Sequence, residues 1–319
     1  MQTPFNGWAN TLVIQAETTF NASSSATIYA LVGKIKFKQD ENFNGKETVI
    51  GVWRNETDSN FSSKFWTGKI EMEFGFNAVV KTLLASFFEL ISTTSLGGGL
   101  NQYTFRPIRL QALPSFKIGL SYNPGGQNWS YSGVVIDSLT FDFRRNQFPK
   151  LTIQFKSALA NYSAGANPLG TPIVTVANNL SNHTQVSGTI DAAALAGMTE
   201  LNFVTTHTKR AAGFNSSGLA NRFALESAFT MRGQIAEYFR ADSVFPTYVA
   251  DQSDHAFTFQ MLDPLGSAMK FQIRWPRVNF IDGMPEGIGK DSLIYRANFD
   301  GLQSDGLDVS TEPRFLLVC

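Results

Sequence analysis

One segment occurs twice in this chain, and the repeat limits the folds that the chain can adopt. Residues 66–79 align without gaps to residues 231–244. The identical pairs are Gly68 and Gly233, Ile70 and Ile235, Phe74 and Phe239, and Val79 and Val244. Further along, residues 138–142 resemble residues 277–281, and residues 151–159 resemble residues 293–302. A shared order of strand, helix start, hairpin and final strand predicts tandem duplication of one unit.

The length of the chain agrees with two copies of such a unit. Its 319 residues suffice for two domains of ordinary size, each able to bury its own core. A stretch rich in Ala, Asn, Gly, Ser and Thr separates the halves and is typical of a junction. We therefore expect a first domain at residues 1–160, a linker at 161–186 and a second domain at 187–319.

Most of the chain alternates polar and apolar residues with a period of two, which predicts a mainly β fold. One segment departs from this pattern. After Asn77, a plausible N-cap, apolar residues recur at the spacing of an amphipathic helix, from Val79 to Phe88. The second copy carries a shorter stripe that includes Phe245 and Tyr248, with Pro246 in the first turn, where proline is tolerated. Each half is therefore expected to contain one short α-helix.

Charge and cysteine content exclude several classes of protein. Lys and Arg number 26, as do Asp and Glu, so the formal net charge is zero. This balance argues against a nucleic-acid binder that neutralises many phosphates, although DNA could still slide past such a surface. The one cysteine, Cys319, rules out a disulfide within the chain and suits a reducing cytosol. The N-terminus resembles no signal peptide, and no apolar run of about 18 residues predicts a membrane span.

Signals for catalysis, metals and cofactors are weak. His183, His207 and His255 are scattered and lack metal-ligand spacing, so we predict no metal, no cofactor and no enzymatic activity. Glu71 and Glu73 could suggest the paired carboxylates of a glycosidase. Residues two apart on a strand share one face, however, so a solvated sheet face is the simpler interpretation.

Three stretches carry a resemblance to a known family: residues 64–88, 133–155 and 226–298. They resemble the tail tube proteins of long-tailed, non-contractile (siphovirus-type) bacteriophages, in the two-domain form. The resemblance covers about two-thirds of the chain and lies in the pattern of elements more than in one rigid motif. It implies tandem antiparallel β-sandwich or partial-barrel domains, each flanked by a short α-helix. Such subunits form rings whose inner sheets join edge to edge into one large β-barrel, which removes the open strand edges.

The same resemblance implies the function and the partners. The chain would be a structural virion protein that polymerises as stacked rings into the hollow tail tube, the conduit for DNA ejection. Its partners would be other copies of itself, the tape measure protein and other tail proteins, with double-stranded DNA passing through the lumen without specific binding. Assembly would take place in the host cytoplasm. Single-domain relatives form six-membered rings, so a tandem repeat favours a trimeric, pseudo-sixfold ring over a hexamer.

Two sets of residues are candidates for roles in such a tube. Candidate lumen-facing residues, whose acidic members would repel DNA phosphates, are Glu71, Glu73, Gln234 and Glu237. A polar stretch between two strand-like runs is a candidate loop that docks on the neighbouring ring. Its residues are Asp40, Glu41, Asn42, Asn44 and Gly45.

Other functions remain open at the level of sequence. The chain could be a distal tail or tube terminator protein, which would be less abundant in virions than the tube protein. It could instead be a carbohydrate-binding β-sandwich displayed on the virion, with Trp129, Tyr131 and Trp275 as a sugar platform. Glycan binding by the soluble monomer would support that alternative.

Overall fold

The structure is a computed structural model, and the statements below refer to the residues that it describes. These are residues 10–21, 24–31, 33–50, 53–108, 113–122, 127–144, 147–164, 169–170, 186–195, 197–214, 219–239, 243, 245–263, 268–288, 292–302 and 313–319. In the first half the strands are β1 Asn10–Glu17, β2 Ser24–Leu31, β3 Gly33–Ile50, β4 Trp53–Glu73, β5 Phe88–Gly97, β6 Leu100–Pro107, β7 Phe116–Tyr122, β8 Gln127–Arg144, β9 Lys150–Ser157 and β10 Leu159–Ala164. In the second half they are β11 Val186–Ile190, β12 Ala193–Ala194, β13 Met198–Thr206, β14 Lys209–Phe214, β15 Ala220–Leu225, β16 Thr230–Tyr238, β17 Asp254–Leu262, β18 Lys270–Ile288, β19 Ser292–Gly301 and β20 Arg314–Val318.

The two helices lie where the apolar stripes predict them. Helix α1 spans Ala78–Phe87, and the side chain of its N-cap, Asn77, accepts a hydrogen bond of 3.0 Å from the Val80 N–H. Its apolar stripe, including Leu83 and Leu84, is fully buried. Helix α2 spans Phe245–Asp251 and follows β16 as α1 follows β4. Neither of these described helices has the length and apolar character needed to cross a membrane. The predicted mainly β fold with two short helices is confirmed.

An eight-stranded antiparallel sheet runs through both halves of the chain. Its strand order is β3–β4–β9–β8–β13–β16–β19–β18. Strand β8 of the first half pairs directly with β13 of the second half, from Glu200 opposite Arg144 to Thr206 opposite Ser138. The two halves therefore form one continuous surface.

The other strands cover the inner face of this sheet. In the first half the covering layer is β2–β1–β7–β8–β10, and in the second it is β12–β11–β17–β18–β20, extended by β6 and β5. Strands β8 and β18 are long enough to pair in both layers. Apolar side chains from both layers meet with α1 in a single core. This arrangement is a β-sandwich closed at one side by shared strands.

The two halves repeat the same strand order. In the first half the order is β3–β4–β9–β8, and in the second it is β13–β16–β19–β18. Even an irregularity recurs: β8 has a register shift between Ile136 and Ser138, and β18 has one between Phe280 and Asp282. Because a bulge inserts one residue into a strand and redirects it, the shared bulge supports common ancestry.

The repeated glycine has a packing role in both halves. Phe155 of β9 lies opposite Gly68, and Phe299 of β19 lies opposite Gly233. A Cβ atom added to Gly68 would lie 2.3 Å from Cζ of Phe155, and one added to Gly233 would lie 2.6 Å from Cζ of Phe299. Each aromatic ring thus covers the glycine on its neighbouring strand, and no larger residue fits there without displacing the ring.

The registers correct two alignments made from the sequence. Phe155 and Phe299 are equivalent, so Leu151 corresponds to Tyr295 rather than to Leu293. The shared bulge makes Ser138 equivalent to Asp282 and not to Arg277. Short apolar strings resemble one another at several offsets, and only the pairing with neighbouring strands selects one.

The proposed domain boundaries remain predictions. Strand β10 extends to Ala164, four residues into the predicted linker, while residues 171–185 lie outside the described residues. The C-terminal strand β20 pairs with β18 and also with β6 of the first half. Among the described strand pairings, β8–β13 and β6–β20 therefore join the two halves.

Candidate lumen face and assembly edges

One face of the eight-stranded sheet is exposed, and the alternation of buried and exposed residues along β4 identifies that face. Ile70 and Met72 are buried in the core, whereas Lys69, Glu71 and Glu73 point away from it and are exposed. The pattern follows from the period of two along a strand with one covered face. The predicted separation of Glu71 and Glu73 from the apolar residues of β4 is thus observed, while their position in a lumen remains a prediction.

In the second copy, only one of the two candidate lumen-facing residues lies on the exposed face. Gln234 of β16 lies on the exposed face, where its amide donates a hydrogen bond of 3.1 Å to Asn298 Oδ1. Glu237 has a relative exposure of only 3% and lies on the same side of β16 as Ile235. Its assignment to the exposed face was wrong, because it lies three positions from Gln234 and an odd offset along a strand changes the face.

Ion pairs between neighbouring side chains cover the exposed face. Lys69 lies 2.7 Å from Glu71, and their interaction, together with the more distant Lys36 and Lys34, lowers the pKa of that carboxyl. The other pairs on this face are Arg144–Asp142 at 2.8 Å, Arg144–Glu200 at 3.4 Å, Arg296–Glu200 at 3.3 Å, Arg296–Glu286 at 2.6 Å and Arg232–Asp300 at 3.2 Å. The face therefore carries both signs of charge and is not acidic alone.

The eight-stranded sheet ends in two open edges. In the described part of the chain, β3 pairs with β4 on one side and with no strand on the other. The last part of β18, residues 281–288, likewise pairs only with β19. Exposed Lys34, Lys36 and Lys38 follow the first edge, and exposed Asp282 and Glu286 follow the second. Open edges of this length invite pairing with another strand.

The candidate inter-ring residues lie in a strand and not in a loop. Asp40, Glu41, Asn42, Asn44 and Gly45 belong to β3 and face residues of β4, from Phe65 opposite Asp40 to Ser59 opposite Gly45. Here β3 and β4 pair only with each other among the described pairings, since β9 pairs with β4 no further than Trp66. Residues 40–50 and 53–65 therefore form a two-stranded arm, roughly 35 Å long at about 3.3 Å per residue. The sequence predicted a loop because Asp, Asn and Gly are typical of turns, whereas docking on a neighbouring ring remains a prediction.

A second hairpin, β14–β15, occupies the corresponding place in the second half and packs on the first half. Phe223 of β15 contacts Phe65 and Phe20 edge to face, with ring centroids 6.4 Å and 6.0 Å away. At the start of β14, the backbone N–H of Lys209 donates a hydrogen bond of 2.9 Å to Asp137, the extra residue in the β8 bulge. The bulge thus creates the attachment point for this hairpin.

Lys209 itself is buried at this attachment point. Its ammonium donates to the carbonyl of Ile136 and lies 4.6 Å from the centre of the Phe87 ring. Burial lowers the pKa of Lys209 to about 7, an effect that the carboxylate of Asp137 partly opposes. Nearby, burial lowers the pKa of His207 to about 4, so this histidine is neutral. The sequence offered no signal for this cluster, because it joins residues from both halves.

A further cluster that the sequence did not reveal surrounds His255. Its Nδ1 lies 2.6 Å from Asp191 Oδ2, and its Nε2 lies 3.1 Å from Asp251 Oδ1 and 3.2 Å from Ser253 Oγ. Burial lowers the pKa of His255, but the bonds to the two carboxylates outweigh this and raise it. Carboxylates at both nitrogens favour the protonated ring, which lacks the lone pair that a general base needs. The Ser–His–Asp contact is therefore a structural clamp between α2 and the β11–β12 turn.

The candidate sugar platform does not form. Trp129 is 38% exposed, whereas Tyr131 and Trp275 are 6% and 1% exposed and belong to the core. Trp129 instead lies beside the exposed ring of Tyr162, at 5.3 Å between centroids. Two buried rings cannot stack on a sugar, so this reason for a carbohydrate-binding module is lost.

Comparison with known proteins identifies the family of the chain. A search of curated proteins found no match. A family model described as phage tail tube protein, however, matches residues 7–301. This match covers nearly the whole chain and both halves of the eight-stranded sheet. The chain therefore belongs to the family of phage tail tube proteins, which are structural proteins of the phage tail.

Proposed function

We propose that the chain polymerises as stacked rings into the hollow tube through which the phage ejects its DNA. The observation that supports this most is the eight-stranded sheet, with one covered face, one exposed face and an open edge at each end. A sheet of this kind closes into a barrel when the edges of successive copies pair, which leaves no strand unpaired. The exposed face then lines the bore.

The repeat favours three chains in each ring. Each half contributes four strands in the same order, so one chain supplies two equivalent sectors of the barrel. Three chains then give a pseudo-sixfold ring, in which the β8–β13 junction alternates with the junction between chains. The domains at residues 1–160 and 187–319 are proposed as these two sectors.

The ion pairs of the exposed face suit a conduit for DNA. A bore lined by unpaired cations would hold phosphates, whereas Lys69, Arg144, Arg232 and Arg296 are each engaged by a carboxylate. Glu71, Glu73 and Gln234 are proposed to line the lumen with them. DNA would then slide past a nearly neutral surface without specific binding.

The arm at residues 40–50 and 53–65 is proposed to dock on a neighbouring ring. An isolated two-stranded hairpin is at best marginally stable in water, which favours its packing against another molecule. Residues 41–64 can be replaced by the two-residue turn Asn-Gly, which closes the pair formed by Asp40 and Phe65. We expect the variant to fold and to form single rings but no tubes. Tubes of normal length would contradict a role in stacking, and loss of rings as well would place the arm between chains of one ring.

Microscopy of the purified protein tests the proposal as a whole. Negative-stain images should show rings or tubes of uniform diameter, and a cryo-EM reconstruction should show three chains per ring with Glu71 and Glu73 in the bore. Six chains per ring would refute the trimer, and carboxylates on the outer surface would refute the proposed lumen. A protein that remains monomeric at all concentrations would contradict the function.

The remaining parts of the proposal concern the surroundings of the tube. The tape measure protein is the expected occupant of the bore before DNA enters it, and other tail proteins are expected at its ends. A siphovirus-type tail and assembly in the host cytoplasm complete the proposal, and the single cysteine suits that compartment. The tube protein should be among the most abundant proteins of the purified virion, unlike a distal tail or terminator protein.

A further inference from the structure

We propose that β3 of one chain pairs antiparallel with β18 of the next, in the register that places Lys36 opposite Glu286. This inference rests on the proposed ring and goes further, because it names the contact between its chains. The argument is that the β8–β13 junction within the chain is a copy of the junction between chains. The register of the β8–β13 junction then gives the register of the junction between chains.

The first step is the equivalence of β3 and β13, which follows from their pairing with equivalent strands. Ile35 lies opposite Ile70 and Phe37 opposite Gly68, in the same way that Leu201 lies opposite Ile235 and Phe203 opposite Gly233. The repeat makes Gly68 equivalent to Gly233 and Ile70 to Ile235. Lys34, Lys36 and Lys38 therefore correspond to Glu200, Asn202 and Val204.

The second step is the equivalence of β8 and β18, which rests on their shared bulge and on β9 and β19. Ser138 lies opposite Gln154 as Asp282 lies opposite Asn298. Continuing along both strands in the same register, Thr140 corresponds to Met284 and Asp142 to Glu286. The edge that β8 offers to β13 is thus the edge that β18 leaves open.

The third step transfers the register of the junction. Within the chain, Val204 lies opposite Thr140 and Asn202 opposite Asp142. Replacing each residue by its equivalent gives the pairs expected between chains. These are Lys34–Ile288, Ile35–Gly287, Lys36–Glu286, Phe37–Pro285, Lys38–Met284 and Gln39–Gly283.

The side chains at the two edges support this register independently. Lys36 and Glu286 are both exposed and carry opposite charges, and opposite charges directly across two strands are favourable. Pairing would also place Met284, which is apolar and 64% exposed, against the aliphatic part of Lys38 of the next chain. Burial of such a residue against a second copy explains its presence on a strand edge. If the lysines served only to protect the edge from aggregation, no acidic residue would be required at this position of β18.

Disulfide cross-linking in assembled tubes tests the register. Cysteines at Lys38 and Met284, in a chain that also carries Cys319→Ser, would lie directly opposite across the junction. Their Cα atoms would be about 5.5 Å apart, within the range that a disulfide spans. The matched control places cysteines at Lys34 and Met284, which the register separates by four residues, about 13 Å along the strand. We expect oxidised K38C/M284C tubes to give covalently linked chains on a denaturing, non-reducing gel. Oxidised K34C/M284C tubes should give only single chains on the same gel.

Each outcome bears on the register or on the function separately. Tubes that form normally but do not cross-link at K38C/M284C, or that cross-link at K34C/M284C instead, overturn the register and leave the tube function intact. If the native chain forms neither rings nor tubes, the proposed function fails and the register fails with it.

Charge reversal gives a second test that requires no new cysteine. Lys36→Glu or Glu286→Lys alone would place like charges opposite each other and slow ring formation by about fivefold. The double variant restores opposite charges across the junction and should assemble faster than Glu286→Lys alone, although Arg296 still lacks its partner Glu286. Glu226→Lys, at an exposed site away from both edges, is the control and should leave assembly unchanged. If the double variant slows ring formation by the product of the two single factors, the two residues act independently and the proposed pairing is overturned.

Discussion

Replacing Lys209 with methionine should stabilise the protein at neutral and acidic pH and reverse in sign at alkaline pH. Lys209 is 2% exposed, and burial lowers its pKa from the usual 10.5 to about 7, against the attraction of Asp137. The unfolded chain therefore holds this proton more tightly than the folded one between about pH 7 and pH 10.5. The cost of burying the charge is fully present below pH 7 and disappears as the pH rises through that range.

The size of the effect follows from the same values. A lowering by about 3.5 pH units at about 1.4 kcal/mol each corresponds to a cost of about 5 kcal/mol at low pH. Methionine removes that cost but leaves the Ile136 carbonyl without its donor, which costs about 1–3 kcal/mol. The variant should therefore be about 2–4 kcal/mol more stable below pH 7. Near pH 10 the folded lysine is neutral and about 1 kcal/mol of the cost remains, so the variant should be up to about 2 kcal/mol less stable.

Urea denaturation of the unassembled chain at several pH values between 6 and 10 measures this difference directly. Groups that titrate alike in both proteins cancel when the free energies of unfolding are subtracted. Lys150→Met, at an exposed lysine of β9, is the control and should follow the pH dependence of the native chain. A constant difference between Lys209→Met and the native chain across this range would refute the reasoning.

Two further changes test the packing of the repeat and the histidine clamp. Gly68→Ala would force its Cβ into the Phe155 ring and should cost about 1–3 kcal/mol, a fall of a few degrees in melting temperature. Gly188→Ala, where flexible side chains are the nearest atoms, should cost less, and equal losses would contradict the packing argument. His255→Gln should cost about 1–3 kcal/mol in urea denaturation near pH 5–6. Because the carboxylates raise the pKa of His255, that loss should shrink as the pH rises through it, and a loss that grows with pH would contradict the clamp.

Local features of the chain were predictable because they depend on short-range patterns. Asn77 caps α1 because its side chain can reach a backbone N–H three residues ahead, which needs no tertiary contact. The alternation along β4 correctly separated Glu71 and Glu73 from the apolar residues, since a strand has a period of two wherever it lies. Glu237 was assigned to the wrong face because that prediction did not follow the period of two, which places residues three positions apart on opposite faces.

Features that join distant parts of the chain could not be predicted in this way. The part of β3 at residues 40–45 was predicted to be a loop, because Asp, Asn and Gly are typical of turns and no local pattern records its pairing with β4. The clusters around Lys209 and His255 bring together residues 53 to 73 positions apart in the first case and 64 apart in the second. No spacing within one segment records such contacts.

By itself the sequence determined that the chain is mainly β, that it contains two short helices, and that one segment recurs. These properties follow from the periodicity of side chains and from identity at matched positions. Only the tertiary structure decided which residues of the two halves are equivalent, because short apolar strings resemble one another at several offsets until their neighbours fix the register. It also decided that β8 pairs with β13, so that two halves form one sheet with two open edges, since strand pairing depends on the whole fold.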